Sequence, residues 1–585
     1  MDVTSRTLNV VASVIRYTHG DRVCVARVEM LFTLAGMAIV LRNVRVPNVP
    51  IRSQHVNCAK GFISKFKVSL PIFKFDTISP SSSSPMRFFV PLSFATTAFA
   101  VFTYEETTID LLQAGIKAEE ITVQGVVKHN LERIDALNHK GPKLKGVIET
   151  TPAALEVATK QDKATSSPKG LLHGIPILIK DNIATKGDGL TACAGSLAME
   201  GNFAPEDVFV VKKLREAGAI ISDMPIWSSG PIGGVSLVAP WSARGGITKN
   251  SYVLTAPTPG SSSGFAVSVA ANMIPVSIGT ETDGIIVSPS SVKALVGMKP
   301  TLGLISRTRI IPISSRQDSA GPMGRPVRDV ALVLEAIAGY DPRDPRSKDV
   351  AVPKYSQSLQ AKPTSFKNVH IAISEAFIKA IQWLEAQGAT IVKAPLPNAQ
   401  DITESKCAFT LLKTEFREDV ETYLGTLSWK VGVTPMKTLK DITDYIAAHP
   451  KTELNVLDQT LMLASLAAPS RTNQTYIDLL KLCNDLAITN GIDKYFNDTQ
   501  TEGIVSLTDA WGQPTSPDYA AIAAYPILTV PLGYNSSFPF GISFVGKPFT
   551  EEKLLQYGYV FEQASKARIP PDVFGCHSQL SKKIR

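Results

Sequence analysis

The apolar positions of this 585-residue chain fall into alternating helical and strand patterns from residue 105 onward. Val123, Val126, Val127, Leu131, Ile134 and Leu137 recur at helical spacing. Gly174-Ile-Pro-Ile-Leu-Ile179 then forms a compact apolar run bounded by Gly and Pro, which predicts a buried strand. Pro205-Glu206-Asp207 predicts a helix start, because acidic groups favour the first turn, and Val208, Val211 and Leu214 share one face behind it. Gly218 predicts the end of that helix and Ala219-Ile-Ile221 the next strand. Such β-α-β order predicts a largely parallel sheet covered by helices on both faces. Ile527–Val530 and Phe540–Val545 read as two more strands, and Leu554, Tyr557 and Phe561 as one face of a closing helix. No internal repeat is evident, so the pattern predicts a single large α/β domain over 105–575, with a short tail at 576–585.

Residues 1–85 read differently. The apolar stretch Met30–Leu41 lies between Arg27 and Arg42 and is too short to span a bilayer as a helix. A Ser/Pro run over 79–85 precedes Met86-Arg87, an apolar stretch Phe88–Phe99 and Ala98-Phe99-Ala100. A basic start, an apolar core and an A-x-A site describe a signal peptide over 86–100, although it begins at an internal methionine. Two readings stay open. Either the protein starts at Met86, with 1–85 an extension outside the mature, secreted protein, or the Arg-bearing 1–85 is a genuine targeting or disordered segment, 86–102 is an apolar helix and the protein is cytoplasmic. Sequons at Asn473, Asn497 and Asn535 agree with export but arise easily by chance.

Charge narrows the function classes. The formal net charge is +8, and residues 1–85 hold 11 Lys/Arg against 4 Asp/Glu, a surplus of +7 that leaves +1 for the other 500 residues. The main body therefore has no basic excess to favour nucleic acid. Six dispersed cysteines form no CxxC pair, and eight histidines form no HExxH. Those patterns predict no metal and no cofactor, with a disulfide or two open to an exported chain.

Three segments have the makings of chemistry, and each has a plain reading beside it. Lys180-Asp181-Asn182 follows the apolar strand directly. A buried lysine there has its pKa lowered toward use as a base, whereas most strand-end lysines are simply solvated. Pro259-Gly-Ser-Ser-Ser-Gly264 runs into the apolar stretch 265–270, so it reads either as a sharp turn aiming hydroxyls into a site or as a flexible capped loop. Gly279-Thr-Glu-Thr-Asp-Gly284 offers successive N–H groups as an anion cradle, or an ordinary turn.

Taken in order and spacing, these segments resemble the amidase signature family. The resemblance runs from His173–Ile183 through Trp241–Gly246, Gly260–Gly264, Gly279–Gly284, Gly297–Gly303 and Gln317–Pro322 to Ala523–Pro531. It implies a mixed central sheet in one domain and hydrolysis of a small-molecule carboxamide by a Ser–cis-Ser–Lys triad. By motif position Lys180 is the base, Ser262 the relay serine held by a cis peptide, and the N–H groups of Thr282, Asp283, Gly284 and residue 285 the oxyanion hole. The nucleophile position itself is Ile285. A hydrocarbon has neither lone pair nor proton, and Ser288 and Ser290 lie three and five residues further on. Upstream, Ser222–Trp227 also departs from the family pattern. Three functions remain: an amidase impaired at Ile285 or a point variant of an active one, a catalytically silent amidase-fold protein that still binds a ligand or partner, and the glutaminase subunit of a tRNA-dependent amidotransferase. Oligomeric state is not legible.

Overall fold

The computed structural model describes the backbone of residues 8–19, 22–33 and 36–42, and residues 102–573 apart from 165–169, 226–239, 257, 360–369, 374–381, 383, 386–389 and 509–515. The signal-peptide reading of 86–100, the last two residues of the 222–227 departure and the tail at 576–585 lie outside the described residues, and of 222–225 only the backbone is described. The chain divides into two units, Met1–Ala100 and Val101–Arg585. The first contains an antiparallel sheet of β1 (Leu8–His19), β2 (Arg22–Thr33) and β3 (Gly36–Arg42). The apolar run Met30–Leu41 thus contributes to two paired strands. Among the described residues no helix is long and apolar enough to cross a membrane.

The second unit is built on an eleven-stranded sheet. Its strands are β4 (Val147–Thr150), β5 (Pro176–Ile179), β6 (Ile220–Pro225), β7 (Val276–Glu281), β8 (Val296–Lys299), β9 (Ser319–Gly324), β10 (His370–Ile373), β11 (Thr390–Lys393), β12 (Gly503–Leu507), β13 (Ile527–Asn535) and β14 (Phe538–Gly546). They lie in the order β11-β10-β12-β14-β13-β8-β9-β7-β5-β6-β4. Four neighbouring pairs are parallel and six antiparallel. The sheet is therefore mixed, as the family resemblance implies, and not largely parallel as the β-α-β pattern predicts. A two-residue link joins β13 to β14 and a longer segment, 300–318, turns β8 back against β9; these two reversals are among the six antiparallel pairs.

Helices cover both faces, and the period of two along β5 shows how. Ile177 and Ile179 pack into one core with Val276, Ile278 and the helix Val327–Ile337. Leu178, pointing the other way, packs with Phe265, Val267 and Ala270 of the helix Ser263–Ala270. Every residue of β5 is buried. A strand buried on both sides reads as a continuous apolar run, which is why this one is visible in the sequence. Truncating a side chain such as Leu178 to Ala in this setting costs about 2–5 kcal/mol.

Other elements shift at their ends. The helix from Val123 stops at Ile134 and continues as one wider turn over Asp135–His139. The next predicted helix begins at Phe209 and not at Pro205. Asp207 explains the delay: its carboxylate accepts from the Lys186 N–H at 2.8 Å and from Arg215 Nε at 2.9 Å, so it anchors a loop. Between Ala399 and Thr499 lies a largely helical region that the apolar spacing did not resolve. There Cys407, which opens the helix Cys407–Leu424, forms a disulfide with Cys483.

Candidate active site

Lys180 sits where β5 ends, and its own N–H continues the parallel ladder to Ile278 O at 3.2 Å. The side chain is fully buried. Its Nζ lies 2.8 Å from Ser261 Oγ and 3.0 Å from Ser262 Oγ, and donates to Thr280 O at 3.3 Å. Burial pushes its pKa well below the ordinary lysine range, and the carboxylates of Asp318 and Glu281 only partly oppose that. The plain reading of a solvated strand-end lysine is excluded.

The serine run is held at both ends. Ser263 Oγ donates to Pro259 O at 2.8 Å and opens the fully buried helix Ser263–Ala270. The cis peptide bond joins Gly260 to Ser261. It falls one residue earlier than the position the sequence reading gave it, before Ser262. Three consecutive serines leave a motif match ambiguous by one step, and only the backbone resolves it. Both hydroxyls reach Lys180, but they differ: Ser262 is sealed at 0% exposure and Ser261 keeps 9%. Ser262 Oγ also lies 3.3 Å from Thr280 O.

The third segment follows β7. Gly284 has φ +69°, a left-handed conformation that favours glycine, and a Cβ there would meet nothing within 4 Å. Backbone conformation and not space therefore selects glycine. Glu281 Oε2 accepts from the N–H groups of Ile286 at 2.6 Å and Val287 at 2.9 Å, and the Gly284 N–H also stabilises this carboxylate. Thr282 Oγ1 donates to Asp318 Oδ1 at 2.6 Å, and Gln317 Nε2 donates to Thr282 O at 3.3 Å. Asp283 is half-buried, and burial with the nearby Asp518 and Glu281 carboxylates raises its pKa well above the usual range. Ile285, also half-buried, occupies the turn before the short helix Val287–Ser291.

Neither nearby serine takes its place. Ser290 is fully buried with Oγ directed at β8: a Cβ on Gly297 would come within 2.3 Å of it. The Ser288 N–H donates to Gly284 O at 3.0 Å, which puts Ser288 one helical turn beyond the cradle.

Around these groups stands a set of buried ion pairs that sequence spacing does not reveal. Asp181 accepts from the N–H groups of Cys193 and Gly195 and from Arg244 Nη1 at 3.0 Å. Burial lifts its pKa to about 6 against the pull of Arg244. Asp318 is likewise lifted to about 6 by burial, opposed by the Thr282 hydroxyl. Asp318 Oδ2 accepts from the N–H groups of Ile313 and Ser314, while Ser314 Oγ and Arg316 reach Glu415. The loop 313–318 thus ties the Thr282 turn to the helix Cys407–Leu424. The motif-bearing Arg244, Gln317 and Asp318 are visible in the sequence, but their partners are not.

That helix also walls an open apolar cavity of about 720 Å³, solvent-side space included, whose lining includes Cys193, Trp241, Ile311, Phe416, Val420 and Ile446. The Lys180–serine cluster does not line it. The cavity adjoins that cluster through Asp181 and Asn182, since the Ile311 N–H donates to Asn182 O at 2.9 Å. Among the described residues no His, Cys, Asp and Glu cluster could hold a metal ion.

The Amidase family model matches residues 125–555. The chain is similar to a "Probable amidase" of Arabidopsis thaliana, 37% identical over 491 residues that cover 81% of this chain and 92% of the relative. It is 30% identical to a glutamyl-tRNA(Gln) amidotransferase subunit of Lysinibacillus sphaericus, across 78% of this chain and 96% of that one. In three dimensions it is similar to the native peptide amidase of Stenotrophomonas maltophilia. That match has a TM-score of 0.74 and 38% identity, and covers 80% of this chain and 99% of the other.

Proposed function

Because the chain belongs to the Amidase family of amide hydrolases, we propose that it binds a small carboxamide beside Lys180 and that Ile285 impairs its hydrolysis. The observation that carries this reading is a buried, pKa-lowered lysine within 3.0 Å of two serine hydroxyls, set beside a turn whose residue 285 is a hydrocarbon.

With a serine at 285 the chemistry is direct. The serine proton passes through the Lys180-bound hydroxyl to the neutral amine, and the freed oxygen attacks the amide carbonyl. N–H groups of the turn other than that of Gly284, which Glu281 engages, stabilise the oxyanion, and the resulting ammonium returns a proton to the leaving amine. With Ile285 the first bond cannot form. Loss of a triad nucleophile costs on the order of 10⁶ in kcat in a well-studied serine protease.

The full chain and its Ile285→Ser variant, assayed on aliphatic and aromatic primary amides, test this. Turnover by the serine form alone, abolished by Lys180→Ala in that background, is the expected result. Amide turnover by the unmodified chain that Ile285→Ser fails to increase would overturn it.

A further inference from the structure

We propose that Ser261 is itself a nucleophile in this chain, acylated by carboxylic esters of good leaving groups with Lys180 as its base. The inference rests on the reading above, that residue 285 has no attacking group.

The three hydroxyls of the run are not equivalent. Ser263 Oγ is committed to the carbonyls of Pro259 and Thr258. Ser262 is sealed from solvent and shares Thr280 O with Lys180. Ser261 Oγ is nearest to Nζ, at 2.8 Å, and the residue keeps 9% exposure. Ser261 is the one residue of the run that combines contact with the buried amine and any exposure. A neutral amine at hydrogen-bond distance from a serine is the arrangement a Ser–Lys dyad requires.

The leaving group decides the substrate class. In attack on an aryl ester the Ser261 Oγ–acyl bond forms, the ester C–O bond breaks, the phenolate departs as an anion, and the serine proton moves to Lys180. An amide cleaved this way needs its amine protonated as it leaves, and the full relay through residue 285 is missing. Lys180 then gives its proton up to solvent and takes one from the water that attacks the acyl-serine; the acyl–Oγ bond breaks, the carboxylic acid leaves, and Lys180 passes that proton back to Ser261. Every step balances without metal or cofactor.

The test is to incubate the full chain with p-nitrophenyl acetate and locate the acetyl group by peptide fragmentation. One acetyl on Ser261 is expected, with ester turnover lowered about 10²-fold or more by Lys180→Met and abolished by Ser261→Ala. Because the adduct is mapped on the unmodified chain, the result stands even where a variant folds poorly. Acetyl groups confined to Ser262, Lys180 or surface side chains, or none at all, overturn the proposal. The two readings separate cleanly. Amide turnover gained by Ile285→Ser without a Ser261 adduct on the native chain sinks this inference alone. A Ser261 adduct without that gain sinks the other.

Discussion

Arg244 Nη1 donates to Asp181 Oδ1 at 3.0 Å, and neither side chain is more than 6% exposed. The pair lies one residue beyond Lys180, so it fixes the end of β5 at the point where the amine must meet the serines. Arg244 also reaches Glu149 at 3.0 Å. Removing one member of a buried pair leaves an uncompensated charge and costs about 3–5 kcal/mol. Arg244→Met is therefore expected to lower the melting temperature by several degrees, while Arg244→Lys recovers part of the loss. An unchanged melting curve for the methionine variant would mean that the pair contributes no stability.

Stability should depend on pH through Asp329. This fully buried carboxyl accepts the Ile109 N–H at the start of the helix Ile109–Lys117. Burial raises its pKa to about 7 against the pull of Arg325, and burial raises the neighbouring Glu562 to about 8. The folded chain thus binds these protons more tightly than the unfolded chain, whose carboxyls titrate near pH ~4. Their contribution is complete below that value and is lost as pH rises through about 7 to 8. The melting temperature should be higher at pH 6 than at pH 8.5, and Asp329→Asn should flatten that difference. A steeper dependence in the variant would contradict the assignment.

Gly279 leaves the room that Ser262 occupies. A Cβ at this position in β7 would lie 2.9 Å from Met323 Cε and 3.0 Å from Ser262 Oγ. Overpacking of this kind costs about 1–3 kcal/mol. Gly279→Ala should lower the melting temperature and, in the Ile285→Ser background, reduce kcat more than it changes KM. Full activity there would show that the serine run tolerates displacement.

The Cys407–Cys483 disulfide, spanning 76 residues, anchors the start of the helix whose later turns wall the cavity. Closing a loop of that length stabilises a fold by about 2–4 kcal/mol. Replacing both cysteines by alanine should lower the melting temperature by several degrees and remove its sensitivity to reductant. A reductant effect that persists in the double variant would have to come from another cysteine.

Legibility followed local chemistry. Lys180 could be read because an unbroken apolar strand ends at it, and the turn after β7 because its glycines mark a backbone conformation. The choice between Ser261 and Ser262 could not, since identical neighbours differ only in the peptide bond that precedes them. The partners of Asp318 and Glu415 were opaque for another reason: Thr282, Ser314 and Arg316 meet them across 36, 101 and 99 residues respectively, and no periodicity encodes such distances. Strands β8 and β9 were missed because Gly, Lys, Ser and Pro interrupt their apolar residues. Three of the six antiparallel pairs went with them.

The placement of β8 has a consequence for how the protein is made. Val296–Lys299 pairs on one side with Ser319–Gly324 and on the other with Ile527–Asn535. When the ribosome has released the chain as far as Gly324, the half-sheet holding Lys180 and the serine run still exposes one edge. At about 5–20 residues per second, the strand that covers this edge arrives on the order of ten seconds later or more. During that interval the nascent chain presents an unpaired strand, the kind of edge that recruits other chains. The sheet is thus completed among the last steps of synthesis, and a chain truncated before β13 is expected to keep that edge open to other chains and aggregate.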